Sequence, residues 1–437
     1  MLRKLDPPQL LIIAYLVTIL AGSLLLATPW AARNGTVDFL TALFTSASAV
    51  CVTGLVVVDT GTYWSGFGHL VIILLSQIGG LGIMAFATLF MVAFKQRISL
   101  KQRLAVQQSL GKSDLGGLMG ILKRLVLFTF VVELIGALLL TIYWFPSMGL
   151  KKAMWFGVFH AISAFNNAGF DLFGNYSSMT GMAASAPVLL ILSGLFIIGS
   201  LGFLVVYELY RYKHKKRLSL HSRLVLIFTS LLLALGTLAF YLLEFNNVLA
   251  NLPGSSKVVV AFFQSATRTA GFSAVDLQST FLPTQVLIMA LMFIGGAPGS
   301  TAGGIKVTTL GVLWISVVSL LKDKRDSVFM YRRLPESVVS RAYAIFFLAI
   351  TLIILISFIL TLNNDFTFNR ILFEAVSAAG TVGLSLGITP ELSVLGRIFI
   401  IIAMFLGRLG PLTIGYAIGL SKSDNGIRYP EEDIMLG

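Results

Sequence analysis

The sequence contains a single cysteine, Cys51, and four histidines among its 437 residues. One cysteine excludes a disulfide framework and a multi-cysteine zinc site. The histidines have no ligand-like spacing within any predicted helix, which argues against a metal-dependent enzyme; they are His69, His160, His214 and His221. Charged residues are also scarce, at 12% of the chain against about 25% in soluble domains. Together with 57% hydrophobic residues and a mean hydropathy of +0.89, this predicts a polytopic membrane protein.

The chain contains long apolar runs. A bilayer core of about 30 Å requires about 20 apolar residues per helix. Eight runs are predicted to be spans: 9–29, 69–94, 121–145, 186–210, 222–243, 283–321, 338–362 and 394–420. Between the members of each pair lies a helical segment too short to cross, at 37–49, 152–166, 256–267 and 367–379. The sequence therefore predicts an all-α membrane protein with eight spans and four re-entrant pore loops around a central pore.

Basic residues outnumber acidic ones by 32 to 19 and are distributed unevenly. Segments 1–8, 95–124, 211–223, 322–341 and 421–437 hold 23 of the 32. By the positive-inside rule, both termini are predicted to be cytoplasmic. The basic linkers fit contact with the lipid surface and are also compatible with docking of a cytosolic protein. Their dispersal between spans argues against nucleic-acid binding.

One pattern, Ser-Ala-x4-Gly, occurs four times and ends at Gly54, Gly169, Gly271 and Gly383. A second glycine cluster follows each of these glycines 24 to 30 residues later, at 79–82, 199–202, 295–299 and 407–410. Repeats of this kind indicate tandem structural units. The predicted units are 1–110, 111–217, 218–330 and 331–437, each with a span, a short pore helix, a glycine loop and a second span.

The four glycine loops are predicted to form an ion filter. Non-helical backbone at membrane depth is tolerated where it lines a cavity, and rings of backbone carbonyls replace the hydration shell of K⁺ in channels. Apart from Arg268, the residues before the glycines are uncharged, which favours a monovalent cation. A helix-capping role explains one such glycine but not four in register. The predicted ion-binding residues are Val52, Thr53, Gly54, Asn167, Ala168, Gly169, Thr269, Ala270, Gly271, Thr381, Val382 and Gly383.

This arrangement resembles the Trk/Ktr/HKT superfamily of potassium transporters, and most closely the bacterial Ktr membrane subunits of the KtrB or KtrD type. The resemblance covers essentially the whole chain, including Arg428, Tyr429 and Pro430. It implies four units around one pore, K⁺ selectivity from four filter glycines, a homodimer and a location in the cell membrane. It also implies a cytosolic nucleotide-binding ring subunit of the KtrA or KtrC type on linkers 95–112, 211–223 and 322–341 and on the C-terminal tail. K⁺ is the expected transported ion, Na⁺ dependence has no visible determinant, and no organic cofactor is expected.

The stretch 295–304 contains five glycines and a proline. Inside a helix each glycine costs about 1 kcal/mol and proline about 3 kcal/mol, so the span 283–321 is predicted to break at mid-membrane depth. Close helix packing through small residues is the alternative. The stretch resembles the intramembrane loop that obstructs the pore in Ktr-type proteins, which implies a gating role for Gly295, Gly296, Pro298, Gly299, Ser300, Thr301, Gly303, Gly304 and Lys306.

Several charged residues lie within the predicted membrane segments, where they usually face a wet cavity or a partner. Lys306 and Arg408 are interpreted either as a positive pore barrier or as donors to carbonyls freed by broken helices. Arg268 is predicted to point behind the filter to a carboxylate, with Glu374 as the candidate partner. Four acids follow the filter glycines by two to eight residues and either attract cations or are solvated loop charges: Asp59, Asp171, Asp276 and Glu391.

Two other functional classes fit the sequence less well. A secondary active cation symporter with a midplane site in broken helices predicts inverted repeats and a buried acidic site, whereas these repeats are predicted to be parallel and their loops lack carboxylates. A membrane enzyme requires a nucleophile–base pair or a metal cluster, and the sequence offers neither. The sequence therefore predicts a potassium-translocating pore subunit and not an enzyme.

Overall fold

The structure, a computed structural model, describes residues 7–82, 118–324 and 326–410. The regular secondary structure of these residues is helical except for a two-stranded antiparallel hairpin, β1 (Val328–Phe329) and β2 (Arg332–Arg333), which joins two of the helices. The helices are α1 Pro7–Leu26, α2 Phe39–Val50, α3 Thr60–Tyr63, α4 Gly66–Leu81, α5 Leu118–Met148, α6 Leu150–Phe165, α7 Ala186–Ser200, α8 Phe203–Lys215, α9 Leu220–Glu244, α10 Gly254–Ala266, α11 Leu282–Phe293, α12 Val307–Leu321, α13 Glu336–Asn363, α14 Phe368–Gly380 and α15 Val394–Leu409.

The same sequence of helices occurs four times. A long helix (α1, α5, α9 or α13) packs against the short helix that follows it (α2, α6, α10 or α14), and a third helix comes next (α4, α7, α11 or α15). Asp38 and Ser393 cap α2 and α15 by accepting backbone N–H groups, from Thr41 at 3.1 Å and Gly396 at 3.0 Å. Such caps satisfy amide groups that have no partner inside a helix. We call the four short helices the pore helices.

The units close into a ring. The third helix of each unit packs on the pore helix of the next, since α4 contacts α6, α7 contacts α10 and α11 contacts α14. The last unit completes the circle, because α15 contacts α2. The pore helices are therefore enclosed by the other helices, and most residues at their ends are buried.

The long helices are apolar all round, with only 22 to 33% of their most hydrophobic windows buried. Leu127, Leu134 and Ile142 on α5 are examples, each at least 60% exposed. A helix that is apolar on its outer face requires an apolar surrounding. These outer faces therefore suit contact with lipid.

The span layout differs in part from the prediction. By length and composition, four described helices could cross a membrane, or five if α7 and α8 count as one span. The predicted span 186–210 is not one continuous helix, because α7 and α8 meet at 101°. The predicted spans 69–94 and 394–420 extend beyond the described residues. Within those residues, α4 and α15 are followed by Gly82 and Gly410, which have φ of +86° and +81°.

Candidate functional site

The four glycines of the Ser-Ala-x4-Gly repeat meet at the centre of the ring. Each has a left-handed backbone, with φ of +91° at Gly54, +74° at Gly169, +76° at Gly271 and +96° at Gly383. This region is open to glycine and costs other residues about 1–2 kcal/mol. The conformation turns the chain sharply at the end of each pore helix.

Each of these glycines lies close to a backbone carbonyl of another unit, and the four contacts follow a cyclic order. A methyl group added to any of them would lie 2.1 to 2.9 Å from a carbonyl oxygen of the following unit. The pairs are Gly54 with Ala168 O, Gly169 with Ala270 O, Gly271 with Val382 O and Gly383 with Thr53 O. Four backbone carbonyls, one from each unit, are thus packed side by side, and no side chain larger than hydrogen fits at the glycines. We call these four glycines and four carbonyls the glycine ring.

The pore helices end in the same way in three units. Val52, Asn167 and Thr381 adopt left-handed backbones with φ of +57°, +57° and +49°. The next N–H then donates to the repeat serine's carbonyl five residues back, at 2.8 to 2.9 Å, and the pairs are Thr53 with Ser48, Ala168 with Ser163, and Val382 with Ser377. This is the bonding pattern of a Schellman cap, and it reverses the chain direction toward the ring.

The repeat serines also bind the ring segment through their side chains. Ser48 Oγ and Ser377 Oγ accept the N–H groups of Gly54 and Gly383, each at 3.0 Å. Ser163 Oγ instead donates to Phe170 O at 2.7 Å. These contacts explain why a small hydroxyl residue lies six positions before the glycine in the first, second and fourth units.

The third unit departs from the repeat. Its pore helix runs into a 3-10 turn over Thr267–Thr269, and Thr267 Oγ1 donates to Phe272 O at 2.7 Å, as Ser163 does to Phe170. Ser265 binds Leu233 O on α9 instead, at 3.0 Å. The hydroxyl contact to the ring segment is therefore kept, although a different residue provides it.

Arg268 does not pair with Glu374, so that prediction is wrong. The Arg268 side chain is 3% exposed and donates to the carbonyls of Ile294 and of Gly295, the latter at 3.3 Å. These carbonyls have no intrahelical partner because α11 ends beside them. Glu374 accepts from the hydroxyls of Ser385, at 2.7 Å, and Thr389.

Three buried side chains on the pore helices brace the segment just beyond the ring, and the sequence analysis did not identify this role for them. Each lies seven or nine residues before its glycine and bonds to a residue two or three positions after it. The contacts are Leu172 N–H to His160 Nε2 at 3.3 Å, Ala274 N–H to Gln264 Oε1 at 3.1 Å, and Ser385 Oγ to Glu374 Oε2 at 2.7 Å. A polar residue on an otherwise apolar pore helix is the sequence signal for such a brace.

A cavity of about 580 Å³, which we call the mouth cavity, opens on one side of the glycine ring. Its lining includes the ring glycines and the four acids expected there: Asp59, Asp171, Asp276 and Glu391. The Asp59 carboxylate accepts the N–H groups of Thr62 and Tyr176, both at 2.7 Å. Burial raises the pKa of Asp171 to about 7; the Phe173 N–H bond opposes this rise and the Asp59 charge adds to it. The mouth cavity therefore has an acidic rim beside an uncharged ring.

The glycine-rich stretch 295–304 lies against the opposite side of the ring. A methyl group on Gly303 would lie 2.0 Å from Thr381 Oγ1. Asn167 Nδ2 donates to Thr301 Oγ1 at 2.6 Å, and Asn167 Oδ1 accepts from Thr269 Oγ1 at 3.1 Å. This stretch, which we call the intramembrane loop, is thus hydrogen-bonded to Asn167 and packed against Thr381, each of which lies two positions before its ring glycine.

The intramembrane loop occupies the break between α7 and α8. The N–H groups of Ala297 and Thr301 donate to Ser200 O and Gly199 O, at 2.8 and 3.2 Å. In return Phe203 N–H, at the start of α8, donates to Gly299 O at 3.1 Å. The loop of the third unit therefore lies between α7 and α8 of the second unit. These contacts explain the bend of 101° between the two helices.

Lys306 and Arg408 hold the loop from two sides. Lys306 Nζ donates to Ala302 O at 2.7 Å. Arg408 donates to Thr301 O and, at 2.5 Å, to Gly79 O in the first unit. Both residues line a second cavity, of about 240 Å³, which we call the loop cavity. Each cation therefore binds backbone carbonyls, as the second interpretation expects, and also faces a cavity. The role of a pore barrier stays a prediction.

The sequence-predicted site residues therefore come together. The twelve predicted filter residues lie at and next to the glycine ring, and the predicted gating residues form the adjoining loop. Within the described residues, no group of three or more His, Cys, Asp and Glu side chains could hold a metal ion. The oxygen atoms of the glycine ring itself are backbone carbonyl oxygens.

Comparison with known proteins gives one consistent result. The TrkH family, described as cation transport proteins, matches residues 9–425. The Ktr system potassium uptake protein B of Bacillus subtilis is 40% identical over 99% of this chain and 97% of its own. The potassium/sodium uptake protein NtpJ of Enterococcus hirae is 36% identical over 100% of this chain and 98% of its own. The crystal structure of the potassium transporter TrkH from Vibrio parahaemolyticus superimposes with a TM-score of 0.72 at 20% identity, over 92% of this chain and 82% of that one.

Proposed function

Because the chain belongs to the TrkH family of cation transport proteins, which are membrane ion transporters and not enzymes, we propose that it is the K⁺-translocating pore subunit of a Ktr-type uptake system. The glycine ring is the observation that carries this proposal. Carbonyls at its centre substitute for the water around a weakly hydrated monovalent cation. The four acids of the mouth cavity raise the local cation concentration at its entrance. The filter consists of the twelve residues from Val52–Gly54, Asn167–Gly169, Thr269–Gly271 and Thr381–Gly383.

K⁺ is the proposed transported ion, and Na⁺ is a second candidate. The Bacillus relative is named for potassium uptake and the Enterococcus relative for both ions. A ring made from carbonyls of fixed backbone, without carboxylates, favours the ion that is cheaper to dehydrate. No organic cofactor has a role in this proposal.

The cellular setting follows from the same proposal. The chain would form four pore units, 1–110, 111–217, 218–330 and 331–437, in the cell membrane, with both termini cytoplasmic and two copies in a homodimer. A cytosolic nucleotide-binding ring subunit of the KtrA or KtrC type would dock on the basic linkers. Of these, 211–223 and 322–341 include exposed residues such as Arg211, Arg332 and Arg333. Linker 95–112 and the C-terminal tail lie outside the described residues.

Potassium uptake by a transport-deficient cell tests the proposal. Cells that lack their own K⁺ uptake systems would express this chain with and without a candidate ring subunit, at confirmed membrane levels. We expect growth at low K⁺ and Rb⁺ uptake that increase when the ring subunit is present. Absence of uptake under both conditions would contradict the proposed function.

The intramembrane loop is the proposed gate. Gly295–Gly304 lie directly beneath the ring, and Arg408 anchors Thr301 to Gly79 in the first unit. Opening requires the loop to leave the axis, driven by movement of the helices that flank it. Arg408 therefore acts as a latch on the closed loop, and its charge repels cations in the loop cavity.

Replacement of Arg408 by glutamine is expected to increase K⁺ flux about tenfold without the ring subunit. Hydrogen bonds to a charged group are worth about 1.5–3 kcal/mol, and about 1.4 kcal/mol changes an equilibrium tenfold. Flux into proteoliposomes at equal protein content provides the measurement. Arg397→Gln is the matched control, because Arg397 also lies on α15 and binds two carbonyls, those of Leu392 and Pro390, but away from the loop. Equal flux in the two variants and in the unmodified chain would argue against a latch.

A further inference from the structure

Three buried polar side chains join the first unit to the second, away from both cavities. They are Gln77 on α4, Glu133 on α5 and Asn166, which follows pore helix α6, and they are 7%, 4% and 0% exposed. Asn166 Nδ2 donates to Gln77 Oε1 at 2.9 Å and to Glu133 Oε1 at 3.0 Å. None of the three lines the mouth cavity or the loop cavity. We call this group the glutamate cluster.

The glutamate cluster has more hydrogen-bond acceptors than its donors serve. Asn166 Nδ2 carries two hydrogens but has three acceptors in reach, since Ile162 O also lies 2.9 Å away. Two further buried acceptors, Glu133 Oε2 and Asn166 Oδ1, have no partner among the described residues, and neither has Gln77 Nε2. A buried polar atom without a partner is costly. The carboxyl and amide oxygens of Glu133 and Asn166 therefore lack a donor.

No cation of the described residues pairs with Glu133, since the one ion pair found there joins Arg333 and Asp326. Helices α4, α6 and α7 surround Glu133, and α7 has no ionisable residue. The ionisable side chains on the others are exposed or bonded elsewhere: Lys123, Arg124 and Tyr143 on α5, Lys151, Lys152 and His160 on α6, and His69 on α4. Those of Tyr15, Lys306 and Arg408 face the loop cavity. A carboxyl group buried without a counter-charge takes up a proton.

We propose that Glu133 carries a proton at neutral pH and, as an uncharged acid, positions the second filter segment. The proton on Oε2 makes this oxygen a donor to Asn166 Oδ1, so that the carboxyl and amide groups pair through two hydrogen bonds side by side. Asn166 directly precedes the filter residue Asn167, and Glu133 therefore acts on the filter through Asn166. This part in transport rests on the proposed function, whereas the protonation of Glu133 does not.

Loss of the proton would disturb the contact between the two units. A methyl group on Gly80 would lie 2.0 Å from Asn166 Oδ1, so the amide packs directly against the backbone of α4. The Gly80 carbonyl in turn lies 3.5 Å from its donor Arg408 Nη2. An ionised Glu133 would place a negative charge beside the Asn166 amide oxygen with no donor between them. We therefore expect alkaline pH to weaken this junction.

Infrared difference spectra of the purified full chain test the protonation directly. The spectrum of the unmodified chain minus that of Glu133→Gln should contain the C=O stretching band of a protonated carboxyl at neutral pH. Glu244→Gln is the matched control, because Glu244 is also buried but its two oxygens accept N–H groups, of Phe281 at 2.9 Å and Asn247 at 2.7 Å. Its difference spectrum should lack the band. Carboxylate bands in place of the carboxyl band for Glu133 would overturn the proposal.

The pH dependence of melting gives a second test. Only the folded chain holds this proton, because an exposed glutamate ionises above about pH 4.3. Stability from Glu133 therefore falls as the pH rises, and the unfolding equilibrium constant increases about tenfold per pH unit until Glu133 ionises. Glu133→Gln lacks this dependence, and its amide N–H replaces the acid O–H as donor. Its Tm should therefore gain on that of the unmodified chain between about pH 6 and about pH 8.

Glu244→Gln and the unmodified chain should melt with parallel pH profiles. The same parallel profile for Glu133→Gln would contradict the proposal. Failure of Glu133→Gln to fold would also contradict it, because an uncharged donor is expected to be tolerated at this position.

Rb⁺ uptake into proteoliposomes tests the positioning role. Above the pH at which the infrared band disappears, uptake by the unmodified chain should fall about tenfold for each pH unit, while Glu133→Gln keeps its uptake. An equal fall in both chains would refute the positioning role. Absence of uptake by the unmodified chain at every pH would instead contradict the proposed function, and the infrared and melting results would still decide whether Glu133 carries a proton.

Discussion

Potassium uptake is expected to fall about a hundredfold or more when Gly383 is replaced by alanine. The added methyl group would lie 2.1 Å from Thr53 O, a backbone atom of the ring itself. The φ of +96° adds strain of about 1–2 kcal/mol for any residue with a side chain. About 1.4 kcal/mol changes an equilibrium constant tenfold. The backbone strain and the clash together are therefore sufficient to disrupt the arrangement of the glycine ring. Rb⁺ uptake at equal membrane expression gives the measurement.

Gly35→Ala is the control for this prediction. Gly35 also has a positive φ, of +69°, but nothing lies within 4 Å of the position that a methyl group would take. It therefore shares the backbone strain of Gly383 without the clash. Uptake in Gly35→Ala should stay close to that of the unmodified chain. Similar uptake in both variants would mean that the close approach at Gly383 has no part in permeation.

Loss of folded protein is the expected result of Gly199→Ala. A methyl group on Gly199 would lie 2.0 Å from Phe165 O at the end of the second pore helix. The first and fourth units repeat this contact, with Gly79 at 2.0 Å from Val50 O and Gly407 at 2.1 Å from Ala379 O. Overpacking costs about 1–3 kcal/mol, and a rigid backbone oxygen places this case at the upper end. Fluorescence-detected size exclusion after detergent extraction measures the monodisperse fraction.

Gly194→Ala provides the comparison on the same helix. Gly194 is on α7, and nothing lies within 4 Å of its potential methyl group. Because alanine is favoured over glycine in a helix by about 1 kcal/mol, this variant should be extracted at least as well as the unmodified chain. If Gly199→Ala behaved in the same way, the second glycine cluster would have no packing role.

The repeated glycines explain why so much of the site was predictable from the sequence. A glycine that must adopt a positive φ cannot be replaced without strain. The recurrence of Gly54, Gly169, Gly271 and Gly383 in one pattern therefore indicates a special backbone conformation at these positions. The short pore helices could be predicted for a similar reason, since their apolar runs are too short to span. The sequence does not reveal that each glycine contacts a carbonyl of the next unit, because this contact depends on how the four units close into a ring.

Tertiary contacts account for two features that the sequence did not predict. The run 186–210 is predicted as one span, and its break at Gly199–Gly202 arises because the loop of the third unit bonds to Gly199, Ser200 and Phe203. Arg268 was paired with Glu374 on charge alone. Freed carbonyls at the end of α11 provide partners for the guanidinium that a residue pattern does not reveal.

Anomalous scattering from Rb⁺ at the glycine ring tests the central claim most directly. Rb⁺ has the charge of K⁺ and a closely similar size, and crystals of the full chain can be grown with Rb⁺ in place of K⁺. The account predicts a peak on the axis between the carbonyl oxygens of Thr53, Ala168, Ala270 and Val382. Rb⁺ peaks that leave the ring empty and lie instead beside carboxylates elsewhere in the membrane segments would contradict it.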